Sequence, residues 1–326
     1  MRRAAALVIT PLLAALAVAG CSSSSSSSHS AAASASAAAD TYKSVTVASG
    51  QLNQAPKVTI PKVKGTGDLY TKTLIKGTGA TFTSETSEAM LGNYVAYDWS
   101  GATSKQLGTS FGSGSQSIFT GTLLTGLKNA LVGQKMGSRV LAVIPPKDGL
   151  GANGPSQGIG ATDTLVFVID LNQVFSPTIT ATQTSTGGGA LPTVTAPAAG
   201  STTGPTVKVN TKATPPKTLQ VKVLAKGAGP VVKSGQNIVV QYTGLLWRNG
   251  QSFDSSWSRG GQPLDTVIGA GKVVKGWDTG LVGQTVGSRV LLVLPPAEGY
   301  GSSGQPAAGI KGTDTLVFAV DILLAY

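Results

Sequence analysis

Cysteine and histidine each occur once in this 326-residue chain, as Cys21 and His29, and their scarcity removes whole classes of chemistry. One cysteine cannot build an intrachain disulfide framework. One histidine, set among serines and alanines, leaves no Ser-His-Asp relay and no cluster with metal-ligand spacing, so neither a metal nor a cofactor is expected. Charge is thin as well: 12% of residues are charged, and no run of five basic residues marks a nucleic-acid patch. Long apolar runs stop at Ala19, and nothing after it reaches the 18 or so residues of a spanning helix.

What stands before Ala19 reads as an export signal. Arg2 and Arg3 precede the apolar run from Ala4 to Ala19, an n-region followed by an h-region. The run ends in Val18-Ala19-Gly20-Cys21, which resembles the lipobox of bacterial lipoproteins, whose cysteine becomes the lipidated N-terminus. Residues 1–21 are therefore expected to be a lipoprotein signal peptide, with Cys21 anchoring the chain to the outer face of the cell membrane. Without Arg2 and Arg3 the chain keeps 23 basic against 14 acidic side chains, a net +9 where the whole chain has +11. That surplus suits anionic headgroups or wall polymers, or simply dispersed solubilising lysines; no nucleic-acid partner is expected. Residues 22–63 open with a serine run and continue rich in Ala and Ser, too polar to offset chain entropy. They are expected to be a disordered tether with a reach of roughly 35–40 Å.

Beyond the tether, 43 glycines and short runs of Val, Ile, Leu and Thr favour sheet over helical bundles. Folded sequence is expected over residues 64–175 and 215–326. Between them, residues 176–214 shift to Thr, Ala, Gly and Pro and read as a linker. The two segments repeat one another: the block Val132 to Leu141 matches Val282 to Leu291, and Thr162-Asp163-Thr164-Leu165-Val166-Phe167 equals Thr313-Asp314-Thr315-Leu316-Val317-Phe318. A period near 150 residues is domain duplication, since solenoid units are much shorter. In the second copy, strand patterns fall at 219–223, 238–246, 289–294 and 316–324. A single helix is expected over 275–282, where Val274, Trp277 and Leu281 share a face. One short helix on an antiparallel sheet is an α+β arrangement. The Gly-rich stretches Lys76-Gly77-Thr78-Gly79 and Lys226-Gly227-Ala228-Gly229 open no helix and read as turns, not phosphate loops.

Five blocks of the second copy, Val240-Gln241-Tyr242-Thr243-Gly244, Phe253-Asp254-Ser255-Ser256, Val273-Val274-Lys275-Gly276-Trp277, the Tyr300-Gly301 turn and Thr315-Leu316-Val317-Phe318, together resemble the FKBP-type peptidyl-prolyl isomerases, the family bound by macrolide immunosuppressants. The resemblance implies two FKBP-like domains, each a bent antiparallel sheet wrapped on one short helix. It implies a catalytic set of Tyr242, Phe253, Asp254, Trp277, Tyr300 and Phe318, with Trp277 as pocket floor and Asp254 deep beside Tyr242 and Arg259. Substrate contacts would come from Arg259, Leu264, Val273, Val274 and Ile310; Tyr300 and Ile310 would form the rim, and the Tyr300 hydroxyl and the Ile310 N–H would donate to substrate. Leu264 stands where the family usually has an aromatic, and Gln305 where a histidine is often found. The partners implied are proline-containing polypeptides, with macrolides as a candidate ligand class.

The reaction so implied, rotation about X–Pro, breaks no bond and needs no nucleophile, metal or base; an apolar cavity that desolvates and twists the amide suffices. The alternative function is a non-catalytic protein-binding or chaperone module using the same groove, and a purely structural role ranks third. Aligning the copies on their shared blocks sets Tyr97 against Tyr242, Leu107-Gly108 against Phe253-Asp254, Ser113 near Arg259, Leu127 against Trp277 and Leu150 against Tyr300. Leu123, Leu124, Ile159 and Phe167 would still line a cavity there. The first copy is thus expected to be degenerate, a spacer or docking domain, and the second to carry the isomerase.

Overall fold

The computed structural model describes residues 40–83, 88–119, 123–198, 201 and 203–326; the expected signal segment, Cys21, His29 and the start of the tether lie outside them. The first half runs β1 (Thr46–Val47), β2 (Val58–Thr59), β3 (Tyr70–Ile75), β4 (Ala89–Ser100), β5 (Thr103–Thr109), β6 (Ser117–Phe119), α1 (Thr125–Leu131), β7 (Arg139–Ile144) and β8 (Thr164–Phe175). The second half repeats this order as β9 (Thr193–Thr195), β10 (Thr206–Lys208), β11 (Gln220–Ala225), β12 (Asn237–Leu246), β13 (Ser252–Ser255), β14 (Leu264–Val267), α2 (Lys275–Leu281), β15 (Arg289–Leu294) and β16 (Leu316–Ala325). Each half builds a six-stranded antiparallel sheet, β3-β7-β8-β4-β5 with β6 on β4, and β11-β15-β16-β12-β13 with β14 on β12. Fold class and duplication are as the sequence predicts, and the predicted helix ends one residue early, at Leu281.

The sheets differ from an ordinary half-buried sheet because both of their faces are apolar. Along β15 every residue is buried: Val290, Leu292 and Leu294 meet Trp277 and Leu281 of α2 on the inner face, while Leu291 and Val293 point the other way. Successive strand residues alternate faces, so a run buried throughout must be covered twice. The second cover is the chain that precedes each domain. Val194, Val207, Val209 and Ala213 pack on Leu245, Trp247, Leu291, Val293 and Val317, and the Trp247 indole N–H donates to Ala213 O at 2.9 Å. In the first half Tyr42, Val45, Val47, Val58 and Ile60 pack on Trp99, Leu141, Val143 and Val166, and the Trp99 indole N–H donates to Val63 O at the same 2.9 Å.

Two expected boundaries are corrected by this. Residues 40–63 are not tether and residues 193–213 are not free linker: each is a strap, with a short hairpin (β1–β2, β9–β10), belonging to the domain that follows. A few valines among Thr, Pro and Lys are enough, because the sheet face they cover supplies the rest of the apolar area.

Under each strap lies a buried ion pair. Arg289 reaches Asp321 through two hydrogen bonds of 2.7 Å and Gln183, ahead of the strap, at 3.1 Å; Arg139 reaches Asp170 at 2.6 and 2.8 Å and the Gln54 carbonyl at 2.7 Å. The two halves also touch. Ala89, Leu91 and Phe175 pack on Val239, Leu323 and Leu324, the Gln116 N–H donates to the Tyr326 hydroxyl at 3.4 Å, and the Gln262 amide to Ile118 O at 3.4 Å.

Two measurements follow. A chain begun at residue 215 should be about 2–4 kcal/mol less stable to denaturant than one begun at residue 179, since only the longer one covers Trp247 and Leu291; equal stability would show the strap to be ornamental. Arg289→Met should cost about 3–5 kcal/mol by stranding Asp321, and Asp321→Leu added to it should restore most of that loss.

Candidate active site

On the inner face of the second sheet four aromatic rings converge. Trp277, 3% exposed on α2, has its ring centroid 5.3 Å from both Tyr242 and Phe318, in near-perpendicular contacts of 83° and 80°. Phe253 meets Phe318 edge-on at 5.5 Å. Such edge-to-face sets hold ring positions more firmly than sliding aliphatic contacts do. Leu264, Val273 and Val274 stand half-buried around them. The strand pairing explains the assembly: Tyr242 and Phe318 lie on β12 and β16 with inward parity, and Phe253 on β13 faces the same way.

Polar groups close one side. Asp254 accepts hydrogen bonds from the Tyr242 hydroxyl and from Arg259, whose second nitrogen reaches the Tyr242 oxygen at 3.0 Å. Arg259 also lies over the Tyr242 ring, 5.5 Å from its centroid. Burial, then the Asp254 hydrogen bond, pushes the Tyr242 hydroxyl up to about 12, so it remains a neutral donor across the physiological range. Tyr300 is likewise raised, first by burial and then by the charge of Asp254. Of the expected catalytic set, Tyr242, Phe253, Asp254, Trp277 and Phe318 are thus brought together.

Some expected details are not met. Asp254 is not deep, since its side chain is 40% exposed in its pair with Arg259. Tyr300 is 39% exposed, whereas Ile310 is 2% exposed and belongs to the core. The Ile310 N–H donates to Gln305 O at 3.1 Å, and the Gln305 N–H donates back at 2.9 Å, so that amide is not open to a substrate.

Several supporting residues have roles that the sequence reading did not assign. Gly244 is required by space: a Cβ there would stand 2.7 Å from Phe253 Cζ and 2.9 Å from Phe318 Cε1. Asp278, on the first turn of α2, accepts from the Gly269 and Gly271 N–H groups at 2.6 and 2.8 Å and so fixes the loop leading to Val273 and Val274. Ser256 accepts from the Tyr242 N–H at 2.8 Å and holds that strand against the turn at 257–259. The Asp in the first helical turn was the only readable signal among them.

In the first domain the framework is the same and the lining is different. Pairing of β4 with β8 sets Tyr94, not Tyr97, against Tyr242: Tyr94 lies opposite Ile169 as Tyr242 lies opposite Val320. The hydroxyl therefore survives, but it faces Gly108, where Asp254 stands in the second copy. Leu127 replaces Trp277, Lys128 replaces Asp278, and Phe119 of β6 comes edge-on to Tyr94 at 6.1 Å. A second contrast lies at the far end of β4. The second domain pairs Arg248 with Asp314 at 2.8 Å; the first has Ser100 for the arginine and brings Asp98 beside Asp163. Burial first, then the Asp163 charge, raises the Asp98 carboxyl to about 6, with Lys105 opposing. Because Asp98 binds its proton more tightly folded than unfolded, this domain loses stability as pH climbs from about 4 to about 6. Asp98→Asn should accordingly raise the midpoint of denaturant unfolding at pH 7.5, by about 1 kcal/mol after solvent screening, and leave it unchanged at pH 3.5; an equal gain at both pH values would rule out titration as the cause.

Comparison with known proteins agrees with this duplication. Residues 85–172 and 229–323 match the family FKBP-type peptidyl-prolyl cis-trans isomerase, and both straps lie outside the matched stretches. An FK506-binding protein of Streptomyces anulatus is 40% identical over 109 residues, which is 33% of this chain and 87% of that protein. FK506-binding protein 1 of Debaryomyces hansenii is 44% identical over 109 residues, 33% of this chain and 95% of its own. The crystal structure of the three FKBP domains of wheat FKBP73 covers 79% of this chain and 94% of its own at 20% identity, with a TM-score of 0.31.

Proposed function

The chain belongs to the FKBP-type peptidyl-prolyl cis-trans isomerase family, and on that footing we propose that its second domain isomerises X–Pro bonds of exported proteins while the first does not. The observation carrying this reading is the asymmetry between the copies: Trp277 and Asp254 both contact Tyr242, with Tyr300 exposed on the following turn, and Leu127, Gly108 and Leu150 occupy the three places in the other copy.

Rotation of an X–Pro amide crosses a barrier of about 18–20 kcal/mol, because resonance holds the bond planar, and takes tens of seconds or more unaided. The pyrrolidine ring enters over Trp277, between Tyr242 and Phe318, where water is excluded. Out of water the dipolar planar amide loses more solvation than the twisted one, so the barrier falls. Tyr300, at the rim, donates its hydroxyl to the substrate. With Ile310 spent on Gln305, the main-chain donor is the Val274 N–H at the start of α2, which makes no hydrogen bond among the described residues. Asp254, held by Tyr242 and Arg259, offers a fixed carboxylate beside the rotating carbonyl. No covalent step occurs and no cofactor takes part. The lipobox-like Val18-Ala19-Gly20-Cys21 supports export with a lipid anchor at Cys21 on the outer membrane face, and the FK506-binding relatives support macrolides as ligands of this pocket.

A proline-limited refolding assay on the full chain tests the proposal. Trp277→Leu should lower kcat/KM by about 10–100-fold and Tyr300→Phe by about tenfold or less, each tenfold being about 1.4 kcal/mol of transition-state stabilisation. A folded wild-type chain no faster than buffer would sink the enzyme; client binding that is lost in Trp277→Leu would then identify a binding module instead.

A further inference from the structure

A second cavity opens on the opposite side of the sheet from the candidate active site. It measures about 660 Å³ and lies between the strap and the outer edge of the second domain, lined by Thr203, Gly204, Thr243, Ser255, Trp257 and Ser258 among others. Thr243 follows Tyr242 on β12, so its side chain leaves the sheet on the other face. The volume is within the range of small-ligand sites.

Its chemistry is narrow. No charged side chain lines it. Most of the hydroxyl protons are already committed: Ser258 donates to Ser255 O at 2.8 Å, Ser255 to Tyr242 O at 3.1 Å, and Thr243 lies 3.2 Å from the Ser255 oxygen, while Thr203 and Ser201 share a 2.7 Å hydrogen bond in which either oxygen can donate. Each oxygen keeps acceptor capacity, so the wall asks for a ligand rich in donors. Trp257 adds a flat apolar surface and a buried indole N–H without a partner. The main chain of Gly204 lies so close to that indole that a Cβ would fall 2.4 Å from its Cδ1.

In the first domain the counterpart of Trp257 is Phe111, which is buried among the strap residues with Arg139 stacked 5.7 Å from its ring centroid. The Trp257 wall is therefore not part of the shared framework.

We propose that this cavity binds a neutral saccharide unit, whose C–H face stacks on Trp257 and whose hydroxyls donate to the Ser and Thr oxygens. An anion is disfavoured by a wall of acceptors, and a cation finds no carboxylate. A sugar oxygen entering past Gly204 would also satisfy the stranded indole N–H. The site is independent of the isomerase proposal, because it shares no lining residue with the aromatic hollow.

The test titrates the full chain with maltotriose and chitotriose, and with a hyaluronate tetrasaccharide as the charged control, by saturation-transfer NMR and tryptophan fluorescence. At least one neutral probe should bind, at least tenfold more weakly to Trp257→Ala and Thr243→Val, with unchanged affinity in Trp277→Leu; thermal unfolding of each variant checks that it folds. No binding of either neutral probe up to about 10 mM, which corresponds to under about 3 kcal/mol of affinity, overturns the proposal. So does equal binding of the charged probe, or binding that Trp257→Ala leaves intact.

Discussion

The structure depends on one constraint: a sheet that is apolar on both faces has to be covered on both. Leu316–Ala325 is buried at every position but the last, and Arg289–Leu294 at every position, so neither strand can lie at a solvated surface. The inner cover is α2 with its aromatic partners. The outer cover is the strap, and from it follow the domain boundaries, the indole-to-carbonyl contacts of Trp99 and Trp247, and the paired Arg-Asp bridges that a bare sheet would leave open to water. Burial alone raises the Asp321 carboxyl against the opposing pull of Arg289, so the strap keeps that aspartate dry at a cost that only the arginine beside it offsets.

Comparing the two copies separates what the fold needs from what the hollow needs. The outer faces share the strap, the Arg-Asp ion pair and the tryptophan hydrogen bond to it. The inner faces part company at Trp277 and Leu127, Asp254 and Gly108, Asp278 and Lys128, and Gly244 and Ala96. None of these inner changes disturbs strand order or the register of the paired strands. The first domain fills part of that space with Phe119, an aromatic supplied from β6 where the second domain supplies one from α2.

Strands, helix and duplication were legible because they depend on local periodicity and on repeated blocks. The straps were not, since Thr, Pro and Ala around isolated valines have the composition of a linker, and only the unalternating run of β15 hinted that a second cover was needed. The confusion of Tyr97 with Tyr94 has a similar origin. The spacing of five residues from Tyr242 to Trp247 recurs from Tyr94 to Trp99, whereas the Ser- and Gly-rich loop after β4 offers no anchor for alignment. Ile310 was misjudged because loop backbone pairing, here with Gln305, leaves no trace in residue type.

The first domain's place beside the second gives it a contribution that does not depend on its own pocket. Their contact uses equivalent positions, Leu91 against the surface of Val239 and Phe175 in the place that Tyr326 takes in the other copy. Tyr326 donates to Asp265 at 2.7 Å, and Asn237 reaches the same carboxylate at 3.1 Å while lying 3.5 Å from Ser115 of the first domain. Asp265 is the neighbour of Leu264 on β14, the strand that edges the aromatic hollow. Burial at this contact raises the Asp265 carboxyl, opposed by the hydrogen bonds from Tyr326 and Asn237, so the network holds only while those donors stay in register. The first domain thus braces the rim strand of its neighbour from behind, a task that uses β6 and the outer end of its sheet and is indifferent to what lines its own interior.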